Sequence, residues 1–230
     1  MILKRIRVHA GEQGLLTNSY IIYDENKKEA MVIDPGGEPE KIIEVLDILE
    51  IEELKYIFVT HCHADHIGGI NELKKAKKGK ILISRDDAEG LYNDQISLAY
   101  YIKIENPELE ADSRIDDNDT IHLGELQFKV IHTPGHTKGS SSLYCEKEKC
   151  LFSGDTIFRG TWGRTDLPTS SIEDIMDSIT EKLMKLPDET ICYPGHGLST
   201  RIEDEKPIYL DLKPKLWWWN KSKGWKRIII

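Results

Sequence analysis

The stretch of sequence that decides the fold is His61-Cys62-His63-Ala64-Asp65-His66. It places three imidazoles and one carboxylate within six residues, and these groups bind divalent metals such as zinc, iron and manganese. Residues 56–60 before it are apolar and β-branched, which predicts a buried strand, and residues 67–75 after it predict a helix. Since α/β proteins place active sites in such strand-to-helix loops, we expect a metal centre here.

The spacing within this stretch indicates more than one metal. His61 and His63 project to the same side if the strand end stays extended. The chain must then turn, so Asp65 and His66 can address a second point a few ångströms away. One short loop can therefore supply ligands to two metals.

Three more candidate ligands follow predicted strands, and each has a neighbouring glycine that lets the backbone turn sharply. They are His136 in Pro134-Gly135-His136, Asp155 in Ser153-Gly154-Asp155 and His196 in Pro194-Gly195-His196. With the first cluster they supply seven ligands from four loops. That number fits a closed two-metal site with room for a bridging water.

The rest of the chain alternates strands with helices in two halves of similar plan. A helix over residues 171–186 has Ser170 or Ser171 as its N-cap, and residues 85–104 look helical or irregular. The predicted strands are 3–8, 18–23, 30–33, 56–60, 80–84, 120–123, 126–132, 140–145, 150–152 and 190–193, and the other helices are 39–50 and 67–75.

The composition excludes several classes of protein. The chain has 230 residues, of which 39% are hydrophobic and 31% charged, so it is neither a membrane protein by bulk composition nor a disordered chain. Its net charge of −9 argues against a nucleic-acid binder. There is no apolar run of transmembrane length and no signal-peptide pattern, so we expect a cytoplasmic protein.

The charge is unevenly distributed along the chain. Residues 206–230 hold seven Lys or Arg and one acid, a balance of +6, which leaves −15 on residues 1–205. Four tryptophans, Trp217, Trp218, Trp219 and Trp225, lie in the same segment. We expect one domain over 1–205, which holds all seven candidate ligands, and a basic, Trp-rich tail over 206–230 that packs on it. The alternatives for the tail are a homodimer contact, a lid or pocket wall for an anionic substrate, and a contact with a membrane surface or nucleic acid, which the acidic body disfavours.

The four cysteines do not form a disulfide framework. Cys145 and Cys150 flank a predicted hairpin tip, where either a bridge or two free thiols is consistent with the sequence. Cys62 lies between two candidate ligands, and we expect its side chain to point into the core; the alternative is a redox-sensitive thiol beside the metals.

The order and context of the seven candidate ligands resemble the metallo-β-lactamase superfamily over about residues 1–205. The resemblance implies an α/β fold, a four-layer αβ/βα sandwich in which two mixed sheets are flanked by helices. Segments 154–156, 163–168 and 194–197 are most similar to the single-domain glyoxalase II-like hydrolases.

The resemblance also implies a role for each residue. One metal takes His61, His63 and His136, the other takes Asp65, His66 and His196, and Asp155 bridges them. It implies two divalent ions per chain, zinc foremost, with iron and manganese as alternatives. Asp65 orients the attacking hydroxide as well as binding metal, and Asp34 is either a buried carboxylate behind the ligands or a turn residue.

The activity implied is dinuclear hydrolysis of a small-molecule thioester or ester, without nucleic acid or membrane as a partner. Arg164 stands where the family has a substrate-contacting lysine, so it binds a substrate carboxylate or pairs with an acid such as Asp166. Two alternatives remain: a mononuclear iron persulfide dioxygenase that uses only His61, His136 and Asp155, and a lactonase with the same ligands.

Overall fold

The computed structural model describes residues 1–210, so most of the predicted tail, including its four tryptophans, lies outside the described residues. The first half of the chain forms one mixed sheet, in which β1 to β3 are antiparallel and β3 to β6 are parallel. Its strands, in spatial order, are β1 (Ile2–Ala10), β2 (Leu15–Asp24), β3 (Glu29–Ile33), β4 (Tyr56–Phe58), β5 (Lys80–Ser84) and β6 (Ser113–Ile115).

The second half forms another mixed sheet and a small two-stranded ribbon. The strands are β7 (Thr120–Leu123), β8 (Leu126–His132), β9 (Ser141–Cys145), β10 (Cys150–Gly154), β11 (Ile157–Phe158), β12 (Thr161–Trp162), β13 (Ile191–Pro194) and β14 (Thr200–Arg201). The sheet order is β14-β13-β10-β9-β8-β7, with β10 and β13 parallel, while β11 and β12 make the ribbon.

Short helices connect the strands. They are α1 (Pro39–Ile48), α2 (Ala64–Ile67), α3 (Ile70–Lys77), α4 (Asp94–Ser97), α5 (Ala99–Ile102) and α6 (Ile172–Asp177). Residues 202–210 are also helical, and Tyr209 within them is buried against Trp162, so this helix crosses the predicted boundary at residue 205. Among the described residues, no helix has the length and apolar character needed to cross a bilayer.

Three apolar clusters among the described residues separate four layers, as the αβ/βα sandwich requires. The period of two along each strand explains this, because neighbouring side chains point to opposite faces. Ile21 packs towards α1 and α3 while Ile22 packs between the sheets. Leu151 packs towards α6 while Phe152 packs between the sheets. The predicted fold is confirmed.

Most predicted elements are present, and two helices differ from the prediction. The helix predicted over 67–75 is divided, since α2 ends at Ile67 and α3 begins at Ile70. Between them Gly69 approaches Gly36 so closely that a Cβ there would lie 2.8 Å from Gly36 O. The helix predicted over 171–186 begins at its Ser171 cap but changes after α6 to a π-helical turn, where Thr180 Oγ1 donates to Met176 O at 2.8 Å. The short strands β6, β11, β12 and β14 were not predicted.

All four cysteines are buried free thiols. Cys145 and Cys150 lie opposite each other across β9 and β10, and the structure shows two thiols rather than a bridge. The Cys62 side chain is part of the apolar cluster beneath the first sheet, so the prediction that it points into the core is confirmed. Burial raises the pKa of this thiol well above its usual value.

Candidate metal centre

All seven candidate ligands converge at one edge of the two sheets. His61 follows β4, His136 follows β8, Asp155 follows β10 and His196 follows β13, while Asp65 and His66 open α2. Six of the seven are buried, and the His196 side chain is 30% exposed. The cluster is therefore closed on most sides and open beside His196.

The ligand atoms fall into three overlapping sets, and the third set, His61, His66 and Asp155, joins one histidine from each of the other two to Asp155. The side chains of His61, His63 and His136 present atoms within 4.8 Å of one another, and so do those of Asp65, His66 and His196. Asp155 lies between the sets, with Oδ1 3.5 Å from His66 Nε2 and Oδ2 3.5 Å from His136 Nε2. Its Oδ2 is also 3.3 Å from His196 Nε2.

Several of these atoms are buried without a hydrogen-bond partner, namely His61 Nε2, His63 Nε2 and Asp155 Oδ1. A buried polar atom without a partner costs about 1–3 kcal/mol. In addition, His63 Nδ1 and His136 Nε2 are only 2.8 Å apart, so both are directed at nearly the same point. Divalent ions bound by imidazole and carboxylate would satisfy these atoms, so the side chains present fit such ions.

Hydrogen bonds on the far side of three rings determine which nitrogen faces the cluster. A carbonyl oxygen can only accept, so His136 Nδ1 donates to Arg164 O and His196 Nδ1 donates to Leu16 O, each at 2.8 Å. His66 Nδ1 donates to Asp34 Oδ2 at 3.0 Å. These bonds orient each ring with Nε2 towards the cluster, as outer partners of metal-binding histidines do.

Asp34 is a buried carboxylate rather than a simple turn residue. Its Oδ1 accepts from Thr60 N and its Oδ2 accepts from Thr60 Oγ1, both at 2.7 Å. Because β3 and β4 are parallel neighbours, their ends bring Asp34 beside the residue that precedes His61. The prediction of a buried carboxylate behind the ligands is confirmed. The backbone of Asp34 adopts a left-handed conformation, with a φ of 51°.

Strand β2 positions the His196 loop and Asp65, which sequence reasoning missed. Asn18 N donates to Gly195 O at 2.7 Å, and Tyr20 Oη donates to Pro194 O at 2.6 Å. Thr17 Oγ1 donates to Asp65 Oδ2 at 3.1 Å. The available signal was Thr17-Asn18-Ser19, a run of three polar residues in the middle of a largely apolar strand.

Two glycines let the loops approach this closely. Gly154, directly before Asp155, has a φ of 48°, and a Cβ there would lie 2.4 Å from Thr60 Oγ1. A Cβ on Gly195 would lie 2.3 Å from Asp155 Oδ1 and 2.6 Å from His66 Cε1. Any larger residue at either position would displace Asp155 or its neighbours.

The histidines of the cluster differ in charge. Burial lowers the pKa of His61 and lowers that of His63 to about 3, so both are neutral. Burial alone would also lower the pKa of His66, but Asp65 and Asp155 raise it to about 9. The same carboxylates raise the pKa of His196 to about 12 against the effect of its burial. Two rings therefore carry protons that a metal ion would displace.

Arg164 lies beside the cluster, and its side chain is already paired. Its Nε and one Nη bind the two carboxylate oxygens of Asp166 at 2.9 and 3.1 Å, on an exposed surface. Of the two predicted roles for Arg164, this geometry shows the ion pair. The backbone carbonyl oxygen of Arg164, rather than its side chain, orients His136.

Comparison with known proteins agrees with the fold and the cluster. The family model described as Metallo-beta-lactamase superfamily matches residues 13–196. The chain is 34% identical to hydroxyacylglutathione hydrolase GloC of Haemophilus influenzae over 191 residues, which cover 82% of this chain and 89% of that protein.

Two solved structures are also similar. The BLEG-1 B3 metallo-beta-lactamase has a TM-score of 0.82 and 31% identity, with 90% of this chain and 97% of that chain covered. TTHA1623 in a di-iron-bound form has a TM-score of 0.76 and 29% identity, with 88% and 98% covered. The matched family model spans the four loops that carry the seven clustered side chains, and the chain belongs to the metallo-β-lactamase superfamily.

Proposed function

We propose that this protein is a dinuclear metal-dependent hydrolase of thioesters, similar to the glyoxalase II-like branch of its superfamily. The observation that carries the proposal is the position of Asp155 between two complete sets of candidate ligands. The substrate class is supported by the 34% identity to a hydroxyacylglutathione hydrolase over most of both chains.

Divalent ions bound by the two sets would supply Lewis acidity, which lowers the pKa of water and polarises a carbonyl group. Zinc is our first choice, and iron and manganese also suit these ligands. Asp65 orients the attacking water. Asp65 Oδ2 accepts a hydrogen bond from Thr17 Oγ1 and lies 3.3 Å from His196 Nε2. The other oxygen, Oδ1, is therefore left to accept a hydrogen bond from that water.

The open side beside His196 is where we place the substrate. The ring of Phe158 packs edge-on against His196 with centroids 5.9 Å apart, and Leu198 is 58% exposed two residues further along the chain. Both side chains suit the apolar part of a small thioester. Arg164 is our candidate for a substrate carboxylate, because its guanidinium is exposed and a substrate carboxylate could replace Asp166 in the same two-bond geometry.

The alternative of a mononuclear iron persulfide dioxygenase needs only His61, His136 and Asp155. A second set formed by Asp65, His66 and His196 favours the dinuclear hydrolase. A lactonase would use the same ligands, so only the substrate distinguishes it from a thioesterase.

The test combines metal analysis with a substrate panel. The protein is purified without a metal-chelating column, its metals are counted by elemental analysis, and thioesters, lactones and persulfides are assayed. We expect about two ions per chain and thioester turnover that is lost on chelation and restored by metal. About one iron per chain, with oxygen consumed on addition of persulfide, would contradict the proposal, and turnover of lactones alone would reassign the substrate.

A further inference from the structure

Asp87 is a buried carboxylate that is not among the seven candidate ligands. It is 1% exposed and lies directly before a 3-10 turn, Ala88–Leu91, that follows β5. Its Oδ2 accepts from Cys62 N at 3.0 Å and from Thr137 Oγ1 at 2.6 Å. Its Oδ1 accepts from Gly139 N at 2.9 Å. A carboxylate in this setting stays buried because several donors compensate its lost hydration.

The donors come from two different ligand loops. Cys62 separates His61 from His63, and Thr137 directly follows His136. One side chain therefore joins the two loops that present the three-histidine set. None of the three hydrogen bonds reaches a residue of the other set, whose His66 is oriented by Asp34 instead.

The packing around Asp87 shows that this contact is close. A Cβ on Gly139 would lie 2.5 Å from Asp87 Oδ1, and a Cβ on Gly90 would lie 2.4 Å from Cys62 Cβ. Side chains are absent at both glycines, which lets the 3-10 turn approach both ligand loops. Small shifts of Asp87 would therefore be transmitted to the loops, since close-packed interiors transmit strain.

We propose that Asp87 is a positioning residue that sets the separation between the His61–His63 loop and His136, and so sets the metal affinity of the three-histidine set. The inference rests on the metal centre of the proposed function. Asp87 acts through the Cys62 amide and the Thr137 hydroxyl and contacts no reacting group. Partners of this kind change metal affinity by about 10- to 100-fold when they are substituted.

The test is Asp87→Asn, which keeps the side-chain shape but replaces one carboxylate oxygen with an NH2 group. That group must then face a backbone N–H, either of Cys62 or of Gly139. Zinc affinity is measured by competition with a chromophoric chelator, and the spectrum of the cobalt(II)-loaded protein reports the ligand geometry. We expect one of the two binding steps to weaken by about 10- to 100-fold and the cobalt spectrum to change. Asp86→Asn, an exposed neighbour with the same change of charge, should leave both steps unchanged.

Thr137 provides a second pair of variants if Asp87→Asn does not fold. Thr137→Val removes the hydroxyl that donates to Asp87 and should weaken the same step, while Thr137→Ser keeps the hydroxyl and should restore it. Unchanged zinc affinity in both Asp87→Asn and Thr137→Val, or equal weakening of both steps, would overturn the proposal. So would a wild-type protein that binds no zinc. A wild-type protein that binds two zinc ions but cleaves no thioester would overturn the proposed function alone.

Discussion

His66 Nδ1 lies 3.0 Å from Asp34 Oδ2, and both side chains are fully buried. Asp34 directly follows β3, whereas His66 lies in α2, so a strand end that supplies none of the seven candidate ligands orients one of them. The carboxylate accepts the Nδ1 proton, which turns Nε2 towards Asp65 and Asp155. The same carboxylate holds Thr60, the residue before His61.

Replacing this carboxylate should separate its two effects. Asp34→Ala leaves the Thr60 amide buried without an acceptor and should lower the free energy of unfolding by about 2 kcal/mol, measured by urea denaturation. It should also weaken zinc binding by about 10- to 100-fold.

Asp34→Asn is the matched control, because asparagine tolerates the φ of 51° and still offers an oxygen to Thr60 N. It should recover much of the stability but not the zinc affinity, because the amide nitrogen then takes the place of Oδ2 and cannot accept a hydrogen bond from His66 Nδ1. Wild-type zinc affinity in Asp34→Ala would show that the His66 contact does not orient a ligand.

Asp65 is the residue whose loss should affect turnover most. Asp65→Ala removes the group that orients the attacking water, and kcat on a thioester should fall by about 100-fold or more. Far-ultraviolet circular dichroism should stay unchanged, because Asp65 packs at the site rather than in an apolar cluster. Thr17→Val removes only the hydrogen bond to Asp65 Oδ2 and should cause a smaller loss. Unchanged turnover in Asp65→Ala would disprove the assigned mechanism.

Metal binding should release protons. In the metal-free protein the pKa of His66 is raised to about 9 and that of His196 to about 12, so both rings are cationic at pH 7. A metal needs the neutral imidazole, so we expect about two protons released per chain at pH 7. The affinity should rise with pH through pH 9, above which His66 is neutral but His196 still carries its proton. Calorimetric titration with zinc in buffers of different ionisation enthalpy measures this number. A binding enthalpy that does not depend on the buffer would refute the expected charge state.

The close approach at Gly195 can be tested against a neighbour in the same loop. A Cβ at Gly195 would overlap Asp155 Oδ1 and His66 Cε1, so Gly195→Ala should lower metal content and turnover by at least about 10-fold. Gly197→Ala is the control, because a Cβ there meets nothing within 4 Å and carries only the strain of its φ of 75°, about 1 kcal/mol. Equal effects of the two variants on metal content would argue against the packing explanation.

The four cysteine thiols should be unreactive towards thiol reagents in the native protein. All four cysteines are buried and free, so a thiol reagent should label few of them at neutral pH before unfolding. After denaturation without reductant, all four should react. Recovery of only two thiols would instead indicate a bridge, for which Cys145 and Cys150 are the opposed pair.

The sequence by itself was sufficient for the fold class, the main strands and helices, and the set of seven clustered residues. The fold class followed from the resemblance that the seven residues carry, whereas the strands, the helices and the choice of the seven residues depend on local pattern. Alternating apolar residues predict strands such as Lys80–Ser84, and Ser171 marks the start of α6. A histidine or aspartate that follows a buried strand is placed at the sheet edge by the strand itself, as His136 and Asp155 are.

Tertiary structure alone decided how that set is held. It turns the Arg164 carbonyl towards His136, places Asp34 behind His66, and places Asp87 between two ligand loops. It also forms strands as short as β14, which have too few residues to show a period. These contacts join residues far apart in the chain, and only the packing of two sheets against each other sets which buried donors and acceptors meet.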